Sequence, residues 1–220
     1  MSETPSKKRK ASLPLVIAGG VSSLVLALGM SPTFSAFTAS ITNDTNTAGT
    51  GRLVMTETSG AIPACVSTSG TNGLSGNAAV CSSINKYGGS TTMVPGTPVV
   101  TNVSIQNTGT VAASAFTLAF GTCAEAVNGT PSGSATDMCT KMLVKVESGS
   151  TLLTPIGATA TTLNGTTLDI KSNLALAPIA GGSAAIPLVV TVTLPSVSSA
   201  VDNTYQGRLI SQSMTWTFQS

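Results

Sequence analysis

The four cysteines are the residues of this chain whose type and spacing suggest chemistry most directly. Cys65 and Cys81 are separated by 16 positions, and Cys123 and Cys139 by the same number. An even number of cysteines in an exported protein is typical of disulfides, and four cysteines allow three connectivities. Each pair encloses a stretch rich in Ser, Thr, Gly and Asn, which predicts two long surface loops. Pairing between sequence neighbours is favoured, because each bond would then close one loop and contribute about 3 kcal/mol in the chain-entropy model.

Zinc is the alternative use of cysteines, and the sequence does not favour it. A structural zinc site needs CxxC-like spacing or histidine ligands, and this chain has neither, since it contains no His. The lack of His also removes the HExxH metalloprotease motif and the usual Ser-His and Cys-His nucleophile pairs. No Gly-rich loop with a Lys is present to bind phosphate. We therefore expect no enzymatic activity, no metal and no cofactor.

Carboxylates are the remaining candidates for acid-base chemistry or for Ca²⁺ binding. None of them lies in a recognisable motif or in EF-hand-like spacing. Glu147 is expected, together with Lys145, on the solvated face of a strand, and Asp169 and Asp202 at turns or strand ends. Beyond residue 36 the carboxylates are Asp44, Glu57, Glu125, Asp137, Glu147, Asp169 and Asp202.

The first 36 residues have the layout of an export signal. Basic residues at 7–10 precede an uncharged run at 11–30, and the small residue Ala36 stands before Phe37. We expect cleavage between Ala36 and Phe37. An uncleaved membrane anchor is the alternative, because about 20 apolar residues can span a bilayer. A Pro and paired Gly residues make this run a poor permanent membrane helix. We therefore expect contact with the membrane only through the signal, before cleavage.

The charge of the chain divides at the same point. The whole chain has a formal net charge of +2, of which residues 1–36 account for +3, with four basic residues and one acidic residue. This leaves −1 for residues 37–220. The basic residues of that longer part are scattered, without the clustering that nucleic-acid binding needs. Nucleic acid is therefore not an expected partner.

Residues 52–220 are predicted to form one all-β domain. Some eight to ten short strands, Gly, Asn and Pro turns and no convincing long helix indicate an antiparallel sandwich. The segment 168–177 fits either a strand or a short helical turn, and Leu163–Thr166 is predicted as a type I′ hairpin turn. Trp216, the only Trp, is expected in the core. Alternation of apolar and polar residues is clearest at 52–58, 99–106, 115–120, 142–147, 184–194 and 208–219, and Gln212 interrupts it in the last of these segments. A turn at 107–109 predicts that 99–106 and 115–120 are two antiparallel strands in succession.

Another short strand is predicted directly after the cleavage point, at 37–42. Phe37, Ala39 and Ile41 form its apolar face, and it contains no charge and no Pro. The polar, turn-forming stretch that follows would act as a tether, so that residues 37–51 form a donor strand with its link to the domain. The alternative is that this strand pairs within its own domain.

Two patches of sequence resemble the TasA/camelysin family of secreted proteins of Gram-positive bacteria. At the N-terminal junction, Thr-Phe-Ser-Ala-Phe at 33–37 is followed by Ala-Gly-Thr at 48–50, shortly before Leu-Val-Met at 53–55. Near the other end, Leu-Pro at 194–195 and Asn-Thr-Tyr-Gln-Gly at 203–207 are similar to the closing segment of the family. The resemblance implies cleavage by a SipW-type signal peptidase and a jelly-roll sandwich. An immunoglobulin-like sandwich is the alternative.

The resemblance also implies a function, namely a structural subunit of an extracellular fibre in which the N-terminal strand of one copy completes the sheet of the next. The expected partners are copies of the same chain and the signal peptidase. The expected location is the extracellular matrix or cell surface of a Gram-positive bacterium. A secreted camelysin-like protease is one alternative, which the lack of His disfavours. A monomeric cell-surface binding module is the other, although the few aromatic residues offer it no obvious platform.

Overall fold

The structure is a computed structural model that describes residues 47–69, 77–89 and 92–220. The expected signal peptide, its cleavage between Ala36 and Phe37, and the strand at 37–42 lie outside the described residues. The strands of the described part are β1 (Met55–Ser59), β2 (Ile62–Val66), β3 (Val99–Asn107), β4 (Ala115–Phe120), β5 (Ala124–Val127), β6 (Leu143–Ser148), β7 (Thr151–Leu152), β8 (Thr167–Asp169), β9 (Ile186–Thr193), β10 (Arg208–Ser211) and β11 (Met214–Gln219). Its short helices are α1 (Met138–Lys141), α2 (Ile170–Asn173) and α3 (Ser199–Asp202), with a 3₁₀ turn at Asn203–Tyr205.

The strands form an antiparallel sandwich. The larger sheet has the order β2-β1-β3-β9-β6-β7, the smaller sheet has the order β11-β4-β8, and β10 pairs with β5. Buried side chains from β3, β6 and β9 belong to the same core as those from β4 and β11. The predicted all-β sandwich is therefore confirmed, while the jelly-roll and immunoglobulin-like topologies stay predictions.

The period-two pattern explains how the larger sheet faces the core. On β6, Val144 and Val146 are buried, whereas Lys145 and Glu147 lie on the outer face and form an ion pair of 2.9 Å. Burial of each valine contributes about 1.5–3 kcal/mol. The ion pair contributes roughly 0–1 kcal/mol, because water screens both of its charges. The predicted outer position of Lys145 and Glu147 is confirmed.

The two disulfides join sequence neighbours. Cys65 is bonded to Cys81 and Cys123 to Cys139, each with a Cα–Cα distance of 6.0 Å. The favoured connectivity is thus confirmed. The prediction of a surface loop between Cys123 and Cys139 is wrong in part, because this stretch contains β5 and the start of α1. Between Cys65 and Cys81 the described residues are turn and coil apart from Val66, the last residue of β2. Pairing of β2 with β1 and of β5 with β10 overrides the turn-rich local composition.

Two other sequence-based expectations are corrected. The strands β3 and β4 do not pair with each other but lie in different sheets. The last predicted element, 208–219, is two strands, and β10 and β11 separate at Gln212, the residue that broke the alternation. Which strands pair with each other depends on contacts between distant parts of the chain, and the local alternation of side chains does not specify it.

The structure also decides the predictions for the turn at Leu163–Thr166 and for the segment 168–177. A turn is present at Leu163–Thr166, with Thr166 N–H donating to the Leu163 carbonyl at 3.0 Å. Gly165 has a φ of +67°, but Asn164 is not among the positive-φ residues, so the turn is not type I′. The ambiguous segment 168–177 contains both the end of β8 and the helix α2. Within the described ranges, no helix is long and apolar enough to cross a bilayer.

Candidate functional site

The strand β11 lies at the edge of its sheet. It pairs with β4 along one side, from Met214 opposite Phe120 to Gln219 opposite Ala115. No other strand of the described residues pairs with its outer side. Its sequence, Met-Thr-Trp-Thr-Phe-Gln, contains neither a charged residue nor a Pro.

The hydrogen-bond pattern shows which main-chain groups face outwards. Gly121 N–H donates to the Ser213 carbonyl at 2.9 Å, so Ser213 and every second residue after it bond to β4. In an antiparallel pair the residues between them direct their N–H and C=O groups to the opposite side. The main-chain groups of Met214, Trp216 and Phe218 therefore point towards the outer edge. A row of such groups is a template for another strand.

The other strands at sheet edges are shorter or carry a feature that blocks pairing. Among the described strands, β7 has two residues, β8 has three, and β5 and β10 have four each. β2 has five residues but includes Pro63, which has no N–H to donate. With six residues and no such guard, β11 is the longest open edge in the part of the chain that the structure describes.

A cavity of about 610 Å³ borders the first half of this edge. One side is formed by the end of β10 and the beginning of β11, from Leu209 to Trp216. The other side is formed by the segment 79–87 and by residues of β1 and β2, among them Met55 and Cys65. The cavity and the outer edge of β11 together form the β11 groove.

A buried ion pair lies at the floor of the β11 groove. The Lys86 ammonium is 2.9 Å from Glu57 Oε1 and donates to Glu57 Oε2 at 3.1 Å. Glu57 is 6% exposed, and it also accepts a hydrogen bond from Trp216 Nε1 at 3.1 Å. Two buried charges are tolerated only when they neutralise and hydrogen-bond each other. The three residues therefore hold β1, the segment 79–87 and β11 in one arrangement.

Gln212 fixes the corner between β10 and β11. Its Nε2 group donates to the carbonyls of Gly121 and Ala160 at 2.8 and 2.9 Å, and its Oε1 accepts from the Tyr87 hydroxyl. Burial raises the pKa of Tyr87 well above that of a free phenol. The residue that interrupted the sequence pattern is thus the one that starts the edge strand in the right place.

The disulfide between Cys65 and Cys81 belongs to the same groove, because both cysteines line the cavity. It connects β2 of the larger sheet to the segment 79–87, which forms a wall of the groove. The second disulfide, between Cys123 and Cys139, is not among the lining residues. Only one of the two bonds therefore fixes the shape of the groove.

A second, smaller cavity of about 130 Å³ adjoins the groove and shares Tyr87, Leu209 and Ile210 with it. Tyr205 lies at its side and donates to Asp137 Oδ1 at 2.9 Å. Burial and the Asp137 carboxylate raise the pKa of Tyr205 to about 12. Both tyrosines that line this cavity therefore have a raised pKa.

Two of the carboxylates that the sequence offered for chemistry, Asp169 and Asp202, have structural roles. Asp169 caps α2 by accepting from Ser172 N–H at 2.9 Å, and the hydrogen bonds from Ser172 lower the pKa of Asp169. Asp202 accepts from Ser196 Oγ at 2.7 Å, which lowers the pKa of Asp202. Sequence reasoning missed the pairing of Glu57 with Lys86, since nothing local in either segment indicates the other. The predicted strand residues Phe37, Ala39 and Ile41 lie outside the described residues.

No protein-family model matches this chain, and a search of curated proteins returns no match.

Proposed function

We propose that this protein is the subunit of an extracellular homopolymer, in which strand 37–42 of one copy adds to the outer edge of β11 in another copy. The observation that carries the proposal is the open six-residue edge of β11 beside a cavity of about 610 Å³. An exposed edge with a groove beside it is the usual receptor for an added strand. The resemblance of the N-terminal junction to the TasA/camelysin family supports the same function.

The length and charge of the two strands agree. Segment 37–42 and β11 both have six residues and no charged residue. A strand of this length spans about 20 Å. The two can therefore pair over most of their length without an electrostatic penalty.

The side chains agree as well. Trp216 is buried and Met214 and Phe218 are half-buried on the core face of β11. An added strand would place Phe37, Ala39 and Ile41 on that face, where burial of a large apolar side chain contributes about 1.5–3 kcal/mol. Each main-chain hydrogen bond adds about 0.5–1.5 kcal/mol. Strand addition thus combines apolar burial with satisfaction of the outward main-chain groups.

The environment and the charge of the chain favour such an assembly outside the cell. Disulfides are typical of oxidising compartments, and this fold contains two. The net charge of −1 for residues 37–220 leaves little long-range repulsion between copies. We place the polymer in the extracellular matrix or on the cell surface of a Gram-positive bacterium.

Electron microscopy and light scattering on the purified chain starting at Phe37 test the proposal. We expect filaments from this chain and none from a matched chain starting at Asn43, with circular dichroism showing the same β fold in both. Filaments from the shorter chain would contradict strand donation. A chain starting at Phe37 that stays monomeric for days at high concentration would contradict the homopolymer and favour a monomeric binding module.

A further inference from the structure

All five methionines of the described residues line one of the two adjoining cavities. Met55 and Met214 line the β11 groove, whereas Met93, Met138 and Met142 line the smaller cavity. A thioether side chain is flexible and polarizable, and methionines are frequent at surfaces that adapt to an apolar partner. The methionines of the domain are thus concentrated at and beside the surface that the proposed function uses.

The five thioethers differ in exposure. Met138 and Met142 belong to the core, with 7% and 2% of their surface exposed. Met55, Met93 and Met214 are only partly buried and pack against the core. Oxidation of a methionine depends on how far a solute can reach its sulfur. A small oxidant that enters the two cavities should therefore react first with the three partly buried residues.

No thiol competes for such an oxidant. The chain contains four cysteines, and all four form the two disulfides. A free thiolate would otherwise be the better nucleophile. The thioethers are therefore the sulfur groups that a mild peroxide oxidises first.

Met55 and Met214 lie on opposite sides of the groove, next to its buried hydrogen bond. Met55 precedes Glu57 by two residues on β1, and Met214 precedes Trp216 by two residues on β11. Residues two apart in a strand share a face, and Trp216 is hydrogen-bonded to Glu57 at 3.1 Å at the floor of the groove. Both thioethers therefore border the space into which a strand added to β11 would place side chains.

We propose that Met55 and Met214 are modification sites, at which a peroxide forms methionine sulfoxide and thereby blocks the β11 groove to an added strand. The blocking, unlike the modification, rests on the proposed function. In the reaction the sulfur lone pair attacks one peroxide oxygen, the O–O bond breaks, and the second oxygen leaves as water after taking up the proton of the first. The sulfur is oxidised and the peroxide is reduced, so no other reactant is needed.

A sulfoxide changes what the groove can bind. It replaces an apolar, flexible group by a polar one that accepts hydrogen bonds from water. A strand laid along β11 would remove the oxygens of oxidised Met55 and Met214 from water, which is unfavourable unless a new donor replaces the water. The apolar side chains of an added strand supply no such donor. Oxidation should therefore prevent strand addition while the core, which contains Met138 and Met142, stays intact.

Peptide mapping tests the modification by itself. The folded chain starting at Phe37 is treated with hydrogen peroxide for increasing times, and each sulfoxide is located by its mass increase of about 16 Da. We expect the three partly buried methionines to be oxidised well before Met138 and Met142, and all five to react alike after unfolding in denaturant. If Met55 or Met214 reacted as slowly as Met138 and Met142 in the folded protein, the proposed sites would be overturned.

Two leucine variants test the blocking of the groove, because leucine keeps nearly the volume of methionine without its sulfur. Met55→Leu/Met214→Leu removes both groove thioethers, and the matched control Met93→Leu removes a partly buried thioether from the smaller cavity. When peroxide is added before assembly, we expect the parent chain and Met93→Leu to lose their filaments. Met55→Leu/Met214→Leu should form as many filaments as its untreated sample. Circular dichroism checks that all three chains remain folded.

Filaments from a parent chain that is oxidised at both Met55 and Met214 would overturn the blocking of the groove. Equal losses of filaments from the two leucine variants would overturn it as well. A parent chain that forms no filaments even without peroxide would refute the proposed function. The modification sites would still be decided by the peptide map, which does not depend on assembly.

Discussion

Trp216 on β11 and Glu57 on β1 are joined by a hydrogen bond of 3.1 Å from the indole Nε1 to the carboxylate Oε1, although 159 positions separate them in the chain. The same carboxylate holds the Lys86 ammonium at 2.9 Å. This contact fastens the open edge strand of one sheet to the opposite sheet. It keeps the edge of β11 in place without another strand beside it.

Glu57→Ala should destabilise the fold strongly. The substitution leaves the Lys86 ammonium buried and unpaired, which typically costs about 3–5 kcal/mol. Denaturant-induced unfolding measures the change. The matched control is Glu147→Ala, which breaks a half-exposed ion pair with Lys145 and should cost roughly 0–1 kcal/mol. Equal losses for the two variants would contradict the structural role of the buried pair.

Ile41→Lys should abolish filaments while the domain stays folded. The substitution places an ammonium on the apolar face of segment 37–42, where strand addition would bury it without a partner. Ser40→Lys is the control, because it puts the same charge on the outward face. Filament counts by electron microscopy and circular dichroism provide the measurements. If Ile41→Lys polymerised as well as Ser40→Lys, the apolar face would not be the contact surface.

The two disulfides should differ in their effect on assembly but not in their effect on stability. Replacing either pair by Ser opens a loop of similar length and should cost about 3 kcal/mol in the chain-entropy model. Only Cys65→Ser/Cys81→Ser releases the segment 79–87 that lines the groove. We expect this variant to polymerise more slowly than Cys123→Ser/Cys139→Ser under conditions where both are folded. Light scattering gives the rates of polymerisation. Equal rates for the two variants would mean that the Cys65–Cys81 disulfide does not affect assembly through the groove.

Stability should decrease in alkaline solution as the pH rises from about 10 to about 12. An exposed tyrosine has a pKa near 10, whereas in the folded protein the pKa of Tyr205 is about 12 and that of Tyr87 is also raised. The unfolded chain therefore loses these protons first, and the stabilisation is complete below pH 10 and lost as the pH passes the folded values. Tyr205→Phe should reduce the slope. The prediction would be refuted if the phenolate absorbance of the folded protein showed that all its tyrosines titrate with a pKa near 10.

The sequence was sufficient to predict the strands that form the centre of the core. β3, β4, β6 and β9 all show clear alternation, because one face of each is buried and the other is not. β2 and β5 were missed, since they are short, lie next to cysteines in turn-rich stretches and depend on a partner strand. Local pattern therefore predicts a strand best where burial alone determines it.

The candidate groove could be predicted only in part. The two disulfide pairs followed from spacing and composition, and Trp216 was correctly expected in the core. The ion pair of Glu57 with Lys86 and the open side of β11 could not be predicted. Both depend on which segments meet across the sandwich. The sequence around Glu57 or Lys86 does not indicate its distant partner, and the sequence of β11 does not indicate which of its sides is open.

The position of β1 determines how the domain would respond to mechanical load. A pull on the tether reaches the domain at Arg52 and passes directly into β1, which lies between β2 and β3 rather than at the edge of the sheet. Force along β1 acts on two rows of hydrogen bonds at once and shears them together, instead of opening them one after another. The chain therefore enters its fold at a strand suited to bear tension, which is the property that the proposed polymer would need.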